Sequence, residues 1–129
     1  MNCSDIYESD GGLFAWTPMK GNRYGLNCCI WGAVGGVCNI KVPVVMFTKK
    51  CHTDSIYDCL LIRIDTLEIL KDDRAFDSEF ASIMDWIRLN QSVLINHWDS
   101  KEGYSSSIEL INQLVKINGY AEKCVEFVN

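Results

Sequence analysis

The sequence predicts an α+β fold, in which a small antiparallel or mixed sheet of three to five strands is covered by one long helix and followed by a second, C-terminal helix. Two observations predict it. The first half of the chain holds short runs of β-branched, aromatic and cysteine residues between polar turns. The second half repeats its apolar residues at helical spacing. With 129 residues, 48% of them hydrophobic, we expect one domain over 1–129, with 1–12 weakly ordered.

Three stretches of the first half are typical of β-strands, because their residues favour extended backbone and turn sequences separate them. They read YGLNCCIW, VCNIKVPVVMFT and IYDCLLIRID. The third is apolar at both odd and even positions, which predicts a central strand covered by helix on at least one side. Pro43 lies in the second and has no N–H to donate, so we expect this strand at an edge of the sheet or at a bulge.

The apolar residues between 80 and 98 predict the long helix, since they recur three and four positions apart. Asp77 or Ser78 is suited to cap its start. Trp86 widens an already broad apolar surface, so we expect this helix to pack across the sheet, with a kink near 89–92.

A second, shorter helix is predicted over 107–117, with Ser106 or Ser107 as its cap and Asn118 and Gly119 at its end. The remaining tail, 120–129, is too short for periodicity to distinguish a strand from a helical turn or a dimer contact.

Composition argues against several classes of function. The formal net charge of −5 opposes binding to nucleic acid, and the lysine pair KK at 49–50 is too small for a nucleic-acid-binding surface. No apolar run approaches the roughly 20 residues that span a bilayer. The first residues, MNCSDIYESDGG, do not resemble an export signal, and the seven cysteines are an odd number. We therefore expect reduced thiols, a cytoplasmic location and no membrane association.

Cys51 and His52 form the best-placed candidate for a zinc or thiol site, because both lie in a polar turn. The chain has no C-x-x-C pair, however, and one turn supplies at most two ligands. GAVGG is not part of the strand, glycine-rich loop and helix order of a phosphate loop, and no Lys-Ser or Lys-Thr follows it. His97 is explained by the favourable charge interaction at a helix C-terminus. We expect no metal, no cofactor and no catalytic residues, with an enzyme less favoured than a binding protein.

Two binding surfaces are predicted. An aromatic pocket between the sheet and the long helix would hold an apolar or cationic small molecule, and its lining would be Trp31, Met46, Tyr57 and Trp86. Alternatively, the chain would contact a protein partner or a second copy of itself, through the Pro43 strand and through Trp98 as an exposed anchor. Packing in the core is the more common role for such a tryptophan.

The order of IWG, a glycine-rich turn, VP with an apolar run, YDCLLIRID and a helix ending in LINHW resembles a family of small bacterial domains that carry a Pro-Pro-His-Phe-His strand. The resemblance covers roughly residues 24–99. It implies a compact sheet covered by a helix, and a mobile-gene or toxin–antitoxin context. Pro43 matches the second proline, but Val44 and Met46 replace the two histidines, so no imidazole chemistry carries over. The expectation is therefore a bacterial interaction or accessory protein, with a small-molecule-binding protein as the alternative.

Overall fold

The computed structural model describes residues 16–35, 40–52, 58–100 and 104–117, and it confirms the α+β fold. Five strands pair antiparallel in chain order, so that the first and fifth form the edges of the described sheet. The strands are β1 (Trp16–Lys20), β2 (Cys29–Ala33), β3 (Val44–Thr48), β4 (Cys59–Arg63) and β5 (Ile69–Lys71). This simple up-and-down order follows from the short connections, which favour pairing between neighbours in sequence.

The predicted helices are both present. The long helix α1 spans Phe80–Asp99, and the shorter α2 spans Tyr104–Gln113. Both helices begin at residues other than those predicted. The expected caps were Asp77 or Ser78 for α1 and Ser106 or Ser107 for α2. A 3₁₀ helix, Arg74–Glu79, precedes α1, and the carboxylate of Asp73 caps it by accepting the Ala75 N–H at 3.0 Å. Within the described ranges, no helix is long and apolar enough to cross a membrane.

One face of the sheet, the helix face, packs against α1. The two-residue period of the strands turns alternate side chains towards the helix, and α1 meets them with an apolar stripe. The buried members from the strands are Met19, Ile30, Val45, Phe47, Leu60 and Ile62, and those from α1 include Ile83, Trp86, Ile87 and Leu94. Trp86 is fully buried and contacts Phe47 edge-on, with the ring centroids 6.2 Å apart. This cluster is the main core of the described structure.

The other face, which we call the second face, is also apolar and buried. Its strand residues are Trp16, Cys29, Trp31, Ala33, Val44, Met46, Cys59 and Leu61. Among the described residues, Ile40, Val42, Leu70 and Trp98 also pack in this cluster. Burial on both faces explains why the sequence of β4 is apolar at successive positions, as expected for an interior strand.

The expectation that the Pro43 strand lies at an edge of the sheet or at a bulge was wrong. β3 is the central strand, bonded to β2 on one side and β4 on the other. Pro43 precedes its first residue, so the missing N–H removes no bond from the ladder, while the Pro43 carbonyl accepts the Ile64 N–H at 2.9 Å. The self-association predicted through this strand therefore loses its structural basis.

Buried polar side chains fix α1 against its surroundings. Asn90 has no exposed surface, and its side chain holds both backbone groups of Val115: the amide accepts the Val115 N–H at 2.7 Å and donates to its carbonyl at 3.1 Å. Gln91 donates to the Ile64 carbonyl at 2.8 Å. Tyr24 donates its hydroxyl to the Ile111 carbonyl at 2.9 Å. These bonds connect the helices to the sheet and to the chain that follows α2.

Candidate functional site

A disulfide joins Cys29 to Cys51, with the two Cα atoms 5.1 Å apart. The expectation of reduced thiols was therefore wrong for this pair. The pairing register explains how the two cysteines meet: Cys29 starts β2 opposite Thr48, the last residue of β3, and Cys51 follows three residues later. The chain turning away from β3 thus passes directly beside Cys29. Its sulfur is buried with the second face, whereas Cys51 is exposed.

The disulfide lies in the wall of an open groove of about 360 Å³ at this end of the sheet. We call it the basic groove, because its charged lining residues are all basic. Its lining runs from the last residue of β1 to the first residue of β2 and includes the turn after β3: Lys20, Gly21, Asn22, Leu26, Asn27, Cys28, Cys29, Lys49, Lys50, Cys51 and His52. In a chain of net charge −5, such a surface is a local reversal of sign.

The three lysines of the basic groove differ in their partners. Lys49 donates to the Glu79 carboxylate at 2.6 Å and lies 4.4 Å from the centroid of the Phe76 ring, so its charge is already largely compensated. For Lys20 and Lys50, the described ranges contain no carboxylate within ion-pair distance. These two ammonium groups are therefore available to an anion that enters the groove.

The turn that carries Lys49, Lys50 and Cys51 is supported from the second face. The Trp31 indole N–H donates to the Thr48 hydroxyl at 2.8 Å, and that hydroxyl donates to the Lys50 carbonyl at 2.6 Å. All of Thr48 is buried. Trp31 thus acts on the groove indirectly, by fixing the backbone of its lysine-bearing turn.

Backbone contacts close the other side of the basic groove. The Gly21 N–H donates to the Cys28 carbonyl at 2.7 Å, and the Leu26 N–H donates to the Gly21 carbonyl at 2.8 Å. A Cβ on Gly21 would lie 2.3 Å from the Cys28 oxygen, so only glycine permits this approach. Gly25 adopts the left-handed conformation, with φ of 90°, that ends the short 3₁₀ helix Gly21–Tyr24.

Cys28 keeps its thiol, unlike its disulfide-bonded neighbour Cys29. Burial, with the negative charge of Glu79 adding to it, raises the pKa of the Cys28 thiol to about 12, while Lys49 acts in the opposite sense. A thiol of this kind stays protonated at neutral pH and is a poor nucleophile. Within the described ranges, Cys28 and Cys59 are both buried.

The structure does not bring the predicted pocket residues together. Trp31 and Met46 are cross-strand neighbours on the second face, whereas Trp86 lies on the helix face, in a region filled by side chains. Tyr57 lies outside the described residues. The predicted lining assigned the two faces of the sheet to one surface, because residue type alone carries no information on which face a strand residue occupies.

Trp98 is not an exposed anchor. It is 9% exposed, its carbonyl accepts the Gly35 N–H at 2.8 Å, and a Cβ on Gly35 would lie 2.4 Å from its indole nitrogen. The expectation of core packing is therefore the one that holds. Pro43, the other predicted interaction residue, is half-buried beside the central strand.

The disulfide argues against the zinc site and the thiol site that were considered at Cys51 and His52. A sulfur bonded to Cys29 has no thiolate to offer a metal. In the described part of the chain, no three histidine, cysteine or acidic side chains are grouped closely enough to hold a metal ion. The partner of Cys51 is a cysteine of β2 and not the neighbouring histidine.

The chain matches no protein-family model, and no curated protein or solved structure is significantly similar to it. The resemblance to the small bacterial domains with a Pro-Pro-His-Phe-His strand therefore stays a prediction.

Proposed function

We propose that this chain is a binding protein whose ligand is a small oxyanion, carrying carboxylate or phosphate groups, held in the basic groove. One observation carries the proposal: Lys20, Lys50 and His52 line a cleft to which the described structure contributes no acidic residue. Of the two roles favoured by the sequence, this is the small-molecule one, with its site at the end of the sheet and not under the helix.

The dimensions and chemistry of the basic groove support a small ligand. A volume of about 360 Å³ lies within the range of small-molecule pockets, which is roughly 300–1,000 Å³. Asn22 and Asn27 line it and carry amide N–H donors, which orient oxyanions by directed hydrogen bonds. Exposed lysines add a charge attraction that depends on ionic strength.

The cytoplasm is the compartment we propose together with this function. The buried Cys28 thiol, which lies outside the disulfide, accords with a reducing environment. Disulfides in that compartment are usually transient or redox-active and not permanent staples.

Titration with citrate, followed by two-dimensional NMR at low salt, tests the proposal. We expect shift changes concentrated in residues 20–29 and 49–52, and binding that weakens as salt is added. Replacing both uncompensated lysines, in K20Q/K50Q, removes two exposed charge contacts and should weaken binding roughly two- to thirtyfold.

The matched control is K41Q, which removes an exposed lysine that precedes β3 and therefore lies at the opposite end of that strand. It has the same effect on net charge per substitution but should leave citrate binding nearly unchanged. Equal weakening in K41Q, or shift changes spread over the whole surface, would show non-specific attraction and contradict the proposal.

A further inference from the structure

We propose that the Cys29–Cys51 disulfide is an exchangeable redox centre, whose reaction partner is a low-mass thiol bearing carboxylate groups. The inference rests on the proposed function, because the basic groove is what would bring such a thiol to the disulfide. It adds chemistry to the site, with Cys51 as the sulfur that reacts and Cys29 as its buried partner.

The two sulfurs are unequal in access. Cys29 is 2% exposed and packed on the second face, whereas Cys51 is exposed and lines the groove. Thiol–disulfide exchange requires a thiolate to approach one sulfur of the bond, so access selects the sulfur that is attacked. Both cysteines line the groove, but the small exposed fraction of Cys29 makes Cys51 the sulfur that an incoming thiolate reaches more readily.

The charges around Cys51 fit the same chemistry. Lys50 precedes it and lines the groove together with Lys20, and in the described ranges neither lysine has a carboxylate within ion-pair distance. Positive surroundings stabilise thiolates and are typical of reactive cysteines. They also attract the carboxylates of the incoming molecule, which raises its local concentration at the disulfide.

The exchange balances in two steps. The thiolate of the first small thiol attacks the Cys51 Sγ, a new S–S bond forms there, and the bond to Cys29 breaks so that Cys29 leaves as a thiolate and takes up a proton. A second small thiolate then attacks the sulfur of the bound molecule and releases Cys51 as a thiolate. Two small thiols are thereby oxidised to one small disulfide, and the protein disulfide is reduced to two thiols. The reverse sequence uses the small disulfide as oxidant.

Three thiols of similar size test the inference: 3-mercaptopropionate, 2-mercaptoethanol and cysteamine, which are anionic, neutral and cationic. Each is added to the folded protein at low salt, the reaction is quenched with acid, and intact mass and peptide mapping locate the mixed disulfide. We expect one adduct, on Cys51, with a rate constant per thiolate about tenfold larger for the anionic thiol than for the cationic one. High salt should remove that preference.

Two variants separate the roles. C29A leaves Cys51 as a single exposed thiol, which should react with the disulfide of 3-mercaptopropionate in one step to a stable adduct. C59A removes a buried thiol outside the groove and should leave both the adduct and its rate unchanged.

The outcomes distinguish the two proposals. If no thiol reacts until the protein unfolds, the disulfide is purely structural and the redox inference is overturned, while citrate binding in the groove can still hold. If all three thiols react equally fast at Cys51, the disulfide exchanges but the groove does not select anions. The proposal that the partner is an anionic thiol is then overturned, and so is the role of the groove in attracting it. An adduct on Cys28 would overturn the assignment of Cys51.

Discussion

Cys28 and Cys29 are adjacent in sequence and belong to different halves of the molecule. Cys28 packs with the helix face, beside Met19 and Tyr24, and keeps a protonated thiol. Cys29 points to the second face and is bonded to Cys51 at the rim of the basic groove. Because successive residues at the start of a strand point to opposite faces, a step of one residue separates an inert thiol from a bridged one.

The two faces differ in what holds them together. The helix face is dominated by apolar packing between the strands and α1, with Trp86 at its centre. The second face adds polar and covalent connections at its groove end, namely the Trp31 to Thr48 hydrogen bond and the disulfide. Apolar packing favours a fixed interior, whereas the groove end leaves charged and sulfur chemistry accessible. The function that we propose therefore lies at the groove end, which also contributes to stability through the disulfide.

The disulfide should contribute far more to stability than the free thiol next to it. C29A/C51A opens a loop whose ends are 22 residues apart, which should lower the free energy of unfolding by roughly 2–4 kcal/mol. C28A removes one small buried sulfur and should cost roughly 1 kcal/mol. Urea unfolding of both variants and of the parent measures the difference. If both variants lose the same free energy of unfolding, the disulfide contributes no more to stability than the Cys28 thiol does.

The hydrogen bonds between the Asn90 side chain and Val115 should give the next largest effect on stability. They belong to the helix side of the molecule. N90A removes the two part-buried hydrogen bonds that its side chain makes to the N–H and carbonyl of Val115, which should cost roughly 1–3 kcal/mol. Amide hydrogen exchange at Val115 should accelerate as well. N96A changes an exposed asparagine of the same helix and is the control. If N90A and N96A lower the free energy of unfolding equally, the hydrogen bonds of Asn90 to Val115 contribute nothing beyond helix propensity.

The long helix and the presence of a small sheet could be predicted from the sequence because both depend on local patterns of residues. The repeat from Phe80 to Trp98 places the apolar stripe of α1, and the continuous apolar run of β4 indicates burial on both faces. Pro43 was misread because a proline just before a strand and one inside it look alike in sequence. The start of α1 was misread because a 3₁₀ turn capped by Asp73 precedes it.

The basic groove could not be predicted in the same way, because its residues come from two segments that meet only through strand pairing. Lys20 is the last residue of β1 and Lys50 lies in the turn after β3, so only the register of the sheet brings them to one cleft. The disulfide depends on that register too. With seven cysteines, connectivity is undetermined by spacing, and an odd count argued against any pair. Knowledge of which residue faces Thr48 would have been sufficient to suggest Cys29 and Cys51.

The smallest expected effect concerns alkaline pH and tests whether Cys28 is as sheltered as its surroundings imply. Burial raises its pKa from 9.0 to about 12 in the folded chain, so above pH 9 the unfolded chain releases this proton and the folded chain keeps it. The folded state is therefore favoured fully below that pH and loses stability as pH rises towards the folded pKa, by about 1–2 kcal/mol between pH 8 and 10.5. Urea unfolding at both pH values should show a smaller loss in C28A. Tyr24, whose pKa burial also raises, has the same sign and should account for part of the loss that remains in the variant. An identical pH dependence in parent and variant would mean that Cys28 titrates alike in both states, and its contrast with Cys29 would then be one of bonding alone.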